Sequence, residues 1–425
     1  MKNKARLLFA LVPFFAISFL TGCGPTGGDT PTPVPPEPVD PFPVNPKDSW
    51  CVDGTKHIQY VRINSRAAGL NSVVDTSQYG CGGTDLGFTW YDSEAKKLFV
   101  TFGDSYPQHM MGGQWNSNVT LYTSNFDFSK GVMWEGALDG SFGATRQITP
   151  VTHSVAGRNG WTASPESICS KKAGTTIPTG GIVVNGNYYM FYMEVYAFNQ
   201  THDYPGIVRN GMWDTFCSRV VKSSDKGKTW NVVPGLEWLA HTDDFVCQPG
   251  ESFSQIHPLD IGDEYIYIYG IRGGRESGTC MGRVLKSKFE DINEYEYYAG
   301  KDKSNNPRYI KGMNGLKFIK DKPSCYVIDP KCGELNFSYN PYYGKYMVTY
   351  LQAQSNMVMR LMENPYTFGG AYTIAGQGNI PNLYGGATHE VMFDNDGRRM
   401  FMFICQWTSN LYSTNLVEVV FSKKK

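Results

Sequence analysis

Tyr91-Asp92-Ser93-Glu94-Ala95-Lys96-Lys97-Leu98-Phe99-Val100-Thr101-Phe102 carries the signal from which the fold can be read. A polar cluster, Asp92–Lys96, separates two apolar and aromatic runs, so the segment reads as a tight turn between antiparallel strands. The pattern recurs four times. Asn185-Gly186 precedes Tyr188–Met193, and Gly262-Asp263 precedes Tyr265–Tyr269. Asn340–Gly344 precedes Tyr346–Tyr350, and Asn395–Gly397 precedes Met400–Ile404. Gly, Asn and Asp tolerate the positive φ that tight hairpins need. A spacing of roughly 50–90 residues leaves room for further outer strands in each unit, which is the size of a propeller blade. The expected fold is all-β, a five-bladed β-propeller whose hairpins converge on one central funnel.

The N-terminal residues follow different rules. Lys2, Lys4 and Arg6 precede an apolar run, Leu7 to Leu20, that is short for a bilayer span, so residues 1–22 read as a secretion signal. Leu20-Thr21-Gly22-Cys23 matches a bacterial lipobox, which makes Cys23 the expected lipidation site and a membrane the expected partner through its acyl chains. An ordinary cleaved signal with an incidental cysteine is the alternative. Residues 23–48 read as a linker. Nine prolines between positions 24 and 46 exclude helix and sheet and favour an extended spacer of about 3 Å per residue. Residues 49–425 then form the propeller. The expected location is that of an exported lipoprotein on the outer membrane or cell surface, with the periplasmic face as the alternative.

Acidic and basic residues balance at 39 each, which gives no support for a nucleic-acid partner. The 27 Tyr, 24 Phe and 9 Trp suit both sheet packing and the stacking of sugar rings. Of ten cysteines, nine remain after Cys23, so at least one stays free or bridges chains. Cys325 with Cys332, and Cys51 with Cys81, are candidate loop closures. No Cys-x-x-Cys pair occurs and the seven histidines are scattered, so neither a metal site nor a cofactor is expected. A monomer is expected. Ser223-Ser224-Asp225-Lys226-Gly227-Lys228-Thr229-Trp230 matches the Asp-box pattern of propellers. There the aspartate satisfies turn amides and the tryptophan packs on the blade, a structural role far from ligand.

Asp85 and Asp104 are equidistant from the first turn's centre, between Glu94 and Ala95. In a symmetric hairpin they are cross-strand neighbours with Cβ atoms about 5 Å apart. Two carboxyls at that separation suit a retaining glycosidase, and like charges so close drive one pKa upward. A one-residue slip or bulge would break the pairing. The bland reading is a turn cap and a strand end. The same offset in the other hairpins falls near Thr176–Thr179, Phe253–Gln255, Glu334 and Gly386–His389 before the turns, and near Glu194, Arg272, Gln352–Gln354 and Gln406 after them. Such groups at the open ends of aromatic strands are what a sugar-binding funnel carries. Glu334 occupies the place in its hairpin that Asp85 holds in the first, and is the reserve catalytic carboxylate.

Gly83-Thr84-Asp85-Leu86-Gly87 with Phe102-Gly103-Asp104-Ser105 resembles the opening of a bacterial β-propeller family long known only as a domain of unknown function. Its characterised members are endo-D-arabinanases of glycoside hydrolase family 183. Ile177–Ile182, Gly270–Arg275 and Gly333–Asn340 extend the resemblance over most of residues 80–410. The resemblance implies endo-acting, anomer-retaining hydrolysis of α-D-arabinofuranosyl linkages in mycobacterial arabinogalactan and lipoarabinomannan. It implies Asp85 as nucleophile and Asp104 as general acid/base. Thr179, Gln255, Arg272, Glu334, Ser338, Asn340 and His389 are the expected substrate contacts. Ser105 stands where the family has threonine, and Ser252–Gln255 fits loosely, which bears on linkage preference.

Two other readings compete. A sialidase-like propeller enzyme would need an arginine cluster, and only Arg272, with Arg275 near it, falls at a funnel position. A non-catalytic glycan-binding lipoprotein on the same scaffold would not need both aspartates to be acidic.

Overall fold

The computed structural model describes residues 41–43, 46–52, 54, 57–140, 146–150, 175–200, 208–241, 246–394 and 396–424. The signal segment, Cys23 and most of the Pro-rich stretch lie outside the described residues. Residues 43–425 form one compact unit, a ring of five antiparallel sheets.

The blades follow the chain, counted from the first complete hairpin. Blade one is Gly83–Asp92, Lys97–Tyr106, Val119–Thr123 and Gly136–Ala137. Blade two is Thr175–Val184, Asn187–Gln200, Val208–Ser223 and Asn231–Leu239. Blade three is Gln255–Leu259, Tyr265–Ile271, Cys280–Leu285, Glu296–Lys301 and Pro307–Lys311, followed by the helix Gly312–Ile319. Blade four is Cys332–Asn340, Lys345–Gln352 and Asn356–Asn364, edged by Thr367–Phe368 and Tyr372–Gly376. Blade five, Leu383–Ala387, Arg399–Thr408 and Leu411–Phe421, is completed by Ile58–Ala68 and Ser49–Trp50 from the other end of the domain. That closure runs from Ile58 opposite Phe421 to Ala68 opposite Thr414, and Tyr60 and Arg62 both donate to the buried Glu418. It removes two free sheet edges and ties the ring shut.

The first strand of each blade packs against the first strands of its neighbours, so these five line the axis. Each sheet is sandwiched between two others. Its strands are therefore buried on both faces, which is why Tyr188–Met193 reads as an unbroken apolar run. Five apolar clusters fill the five spaces between blades. Trp90, Phe99, Tyr188 and Trp230 fill the space between blades one and two, with the Trp90 and Phe99 rings stacked at 4.2 Å. Burial of each such aromatic contributes about 1.5–3 kcal/mol.

The Asp box is the turn from Ser223 to Trp230 on the outer hairpin of blade two. Asp225 accepts from the amides of Lys228 and Thr229 and from the hydroxyls of Ser223 and Thr229. Those donors, the Thr229 hydroxyl foremost, hold its carboxyl down to about 2. Gly227 takes φ +88°, and Trp230 is buried in the cluster between blades one and two. The neighbouring Lys226 reaches Asp92 and Glu94 of blade one. Among the described residues, the two loop closures considered from spacing, Cys325 with Cys332 and Cys51 with Cys81, are not formed. Among the described residues, no helix is long and apolar enough to cross a membrane.

Candidate active site

The inner strands do not run as regular ladders. At the end where they begin, blades one, two, four and five each carry a register shift, at Thr84/Leu86, Pro178/Gly180, Gly333/Asn336 and Tyr384/Gly386. Leu86 at +58°, Arg275 at +109° and Glu334 at +40° are among the non-glycine residues there that adopt positive φ. Such conformations cost energy and persist where the surroundings impose them, most often at functional sites.

In blade one the irregularity serves the two aspartates. Thr84 pairs with Ser105 and Leu86 with Phe102, so Gly103 and Asp104 together stand opposite Asp85. The bulge keeps the two carboxyls near enough for the Asp104 charge to act on Asp85. Gly103 makes this possible, because a Cβ there would overlap Asp85 Oδ1 and come within 2.9 Å of Leu86 Cδ1.

The two carboxyls differ in their surroundings. Asp104 Oδ1 accepts from Trp115 Nε1 at 2.8 Å and from Thr175 Oγ1 at 2.9 Å, donors that favour its charged form. Asp85 Oδ2 accepts from the Tyr384 hydroxyl at 3.0 Å. Burial nonetheless pushes the Asp85 carboxyl up to about 8, and the charges of Asp104 and Glu334 add to that push against the Tyr412 and Tyr384 hydroxyls. Burial, then Asp104 and Asp85, raise Tyr106 to about 12, and Tyr384 and Tyr412 are displaced upward as well. At neutral pH Asp85 thus favours its protonated form beside Asp104, whose oxygen accepts two hydrogen bonds, with the flanking phenols displaced upward.

Glu334 is buried beside them. Arg275 donates to its Oε1 through Nε at 2.7 Å and through its terminal nitrogen. The Arg275 guanidinium also lies 5.0 Å over the Trp213 ring and 5.4 Å over the Tyr384 ring. Asp85, Tyr384, Arg275 and Glu334 therefore form one continuous network. Asp85 Oδ1, Thr179 Oγ1, Gln255 Nε2 and Glu334 Oε2 are buried atoms with no protein hydrogen-bond partner among the described residues, one from each of four inner strands. Buried polar atoms are rarely left so, and a hydroxyl-rich ligand or water satisfies them.

Of the residues expected from sequence, Asp85, Asp104, Glu334, Gln255 and Thr179 belong to this half of the channel. Arg272 does not point into it: it pairs with Glu251 and with Asp321 at 3.1 Å, and Arg275 takes the inward place. Ser338, Asn340 and His389 belong to the opposite end. Ser338 lies four residues beyond Glu334 on one strand, about 13 Å along the axis. Ser338 and His389 line a cavity of about 310 Å³ at the turn end with Tyr91, His257, Tyr339 and Tyr346. Asn340 is fully buried and accepts from the Tyr343 amide at 3.2 Å, which holds the turn. Burial lowers His257 to about 3 and His389 to about 4, so both stay neutral. A larger cavity of about 600 Å³ sits between the outer strands of blade two and the helix, away from the channel. Sequence reasoning missed Thr175, Trp115, Tyr384, Tyr412 and Arg275. For Arg275 a signal existed, its place in the Gly270–Arg275 segment.

No curated protein matches this sequence. Among solved structures, a Bacteroides ovatus protein provisionally described as a hydrolase superposes with a TM-score of 0.51 at 13% identity, over 85% of this chain and 90% of that one. A Xanthomonas citri enzyme of the class GH43_1 gives 0.41 at 11% identity, over 80% and 87%. A Bacillus halodurans xylan β-1,4-xylosidase gives 0.41 at 8% identity, over 79% of this chain and about half, 52%, of its own. At these identities the likeness is one of fold. The sequence itself is matched over residues 71–418 by the family model described as Domain of unknown function (DUF4185), and the chain belongs to that family.

Proposed function

We propose that this protein is a glycoside hydrolase, an endo-D-arabinanase that cleaves α-D-arabinofuranosyl linkages with retention of anomeric configuration. The observation that carries this reading is the Asp85–Asp104 pair, set opposite each other across one bulged ladder, with Asp85 raised by burial and by the Asp104 charge while Asp104 accepts two hydrogen bonds. Retaining glycosidases need such a pair, one group to protonate the leaving oxygen and one to attack the anomeric carbon.

The surroundings favour a division of labour opposite to the one that the family resemblance implies. Asp85, raised to about 8, is suited to donate a proton as the bond breaks and to take one from water in the second step. Asp104, held by Trp115 and Thr175, is suited to attack as the carboxylate. The unpartnered atoms of Thr179, Gln255 and Glu334 offer contacts to sugar hydroxyls. D-arabinan as the polymer rests on the resemblance of the Gly83–Gly87 and Phe102–Ser105 segments. A polymer substrate also agrees with the Pro-rich spacer and the expected lipid on Cys23, which would tether the enzyme outside the cell. A sialidase-like reading gains nothing, since Arg275 is engaged by Glu334, and Arg272 by Glu251 and Asp321.

The test is digestion of purified mycobacterial arabinogalactan by wild type, Asp85→Asn and Asp104→Asn, with the products sized. An oligosaccharide ladder from wild type and a loss of at least roughly a hundredfold in each variant are expected. Binding without cleavage by wild type would leave a glycan-binding lipoprotein, and neither binding nor cleavage would remove D-arabinan as the ligand.

A further inference from the structure

We propose that His241, Cys247 and Glu251 form a zinc-binding site. Their ligand atoms lie within 4.8 Å of one another, although no Cys-x-x-Cys or paired-histidine motif marks them in the sequence. Two features of the fold bring them together. His241 and Cys247 are joined by an antiparallel bridge, reinforced by the Gln248 amide donating to the Ala240 carbonyl at 2.7 Å. The 3-10 turn Pro249–Phe253 then carries Glu251 back over the bridge.

Each flanking ligand is oriented by an outer partner. His241 Nδ1 lies 2.8 Å from the Thr215 carbonyl, which fixes that nitrogen as the donor and leaves Nε2 as the metal-facing one. Arg272 engages Glu251 Oε1, while Oε2 faces the Cys247 sulfur. This is the post of Arg272, the arginine that funnel geometry had assigned to substrate. His241 and Glu251 are 3% exposed and Cys247 is half-buried, so the cluster is reached from one side only through the thiol.

Imidazole nitrogen, thiolate sulfur and carboxylate oxygen together suit zinc, whose bonds of about 2.0–2.3 Å place tetrahedral ligands roughly 3.3–3.8 Å apart. A small movement of side chains closes the cluster to that size. The Cys247 thiol gives up its proton on binding, and among the described residues no fourth protein ligand completes the set. The segment so pinned leads straight into the inner strand that begins at Gln255. Bound zinc would therefore stabilise the wall of the channel without touching the aspartate pair.

The purified full chain is titrated with zinc against a chromophoric chelator, and separately loaded with cobalt(II) as a spectroscopic probe. One equivalent is expected in each case, with a thiolate-to-cobalt charge-transfer band in the near ultraviolet and a higher thermal midpoint with zinc. Cys247→Ser should abolish that band, and Cys247→Ser and His241→Gln should each weaken zinc by tenfold or more. Cys51→Ser, at a thiol outside the cluster, should retain both. Absence of a tight zinc equivalent in wild type would overturn the site, as would zinc affinity unchanged in both variants. If Cys247→Ser fails to fold, the wild-type cobalt spectrum decides alone: without a thiolate band, the proposal fails.

Discussion

The two ends of the propeller channel are built from the same five strands and differ in almost everything else. At the end where the strands begin, four ladders slip register and Leu86, Arg275 and Glu334 adopt positive φ. Two aspartates and a Glu–Arg pair crowd together there, and several buried polar atoms are left open. At the turn end the ladders are regular, the histidines are neutral, and Asn340 completes a turn. The bulge sets Gly103 and Asp104 together opposite Asp85, with both carboxyls half-buried. Irregularity, bought at some cost in backbone strain, marks the end suited to chemistry.

The sharpest way to break this contrast is Gly103→Ala. The methyl would lie only 2.3 Å from Asp85 Oδ1, so the carboxyl must shift. Arabinan cleavage should fall by roughly tenfold to a hundredfold with little change in KM, measured as kcat on a soluble oligosaccharide. Retention of full activity would mean that the close approach across the bulge is irrelevant to catalysis.

Next in size is the effect of pH. The Asp85 carboxyl is raised to about 8, chiefly by burial, so the protonated acid is depleted as pH climbs through that value. Activity should therefore fall on an alkaline limb near pH 8. A folded-state pKa above the unfolded one means that protonation favours the fold, a contribution complete below about pH 4 and lost as pH rises toward 8. Asp85→Asn removes that loss. Its melting temperature should exceed that of wild type by about 2 °C or more at pH 8, with the gap closing toward pH 4. A constant gap across the range would place the titrating group elsewhere. Ser338→Ala and His389→Ala, at the other end, should leave kcat within about threefold of wild type and shift neither limb. A large loss from either would move the active site to the turn end.

Sequence reasoning reached the architecture because blades are buried on both faces, and runs such as Tyr188–Met193 leave few other readings. It reached the aspartate pair because both members belong to one hairpin. It failed where contacts come from elsewhere. Thr175 arrives from blade two, and Tyr384 and Tyr412 from blade five, separations that no local spacing encodes. His389 was misplaced because counting back from a turn assumes an unbroken ladder. The 3-10 turn Glu390–Met392 adds residues between strand and turn without advancing along the axis. Ser338 and Asn340 were drawn in with Glu334 because one matching segment covers them all. That segment is a strand of nine residues that runs most of the channel's length. Closure by Ile58–Ala68 was not foreseen, since that strand belongs to no hairpin of the repeat.

The smallest effect on activity is expected where the sequence motif is strongest. Asp225 makes four hydrogen bonds within its own turn, and Lys226 beside it bridges to Asp92 and Glu94. None of these partners touches the channel end that holds Asp85 and Asp104. Asp225→Ala frees the two amides and releases the turn, which loosens the seat of Trp230 between blades one and two. The melting temperature should drop by a few degrees while kcat and KM on arabinan stay at wild-type values. Loss of activity in a variant that keeps its melting temperature would mean that the outer hairpin acts on the channel. The division between a scaffold motif and a catalytic end would then have to be abandoned.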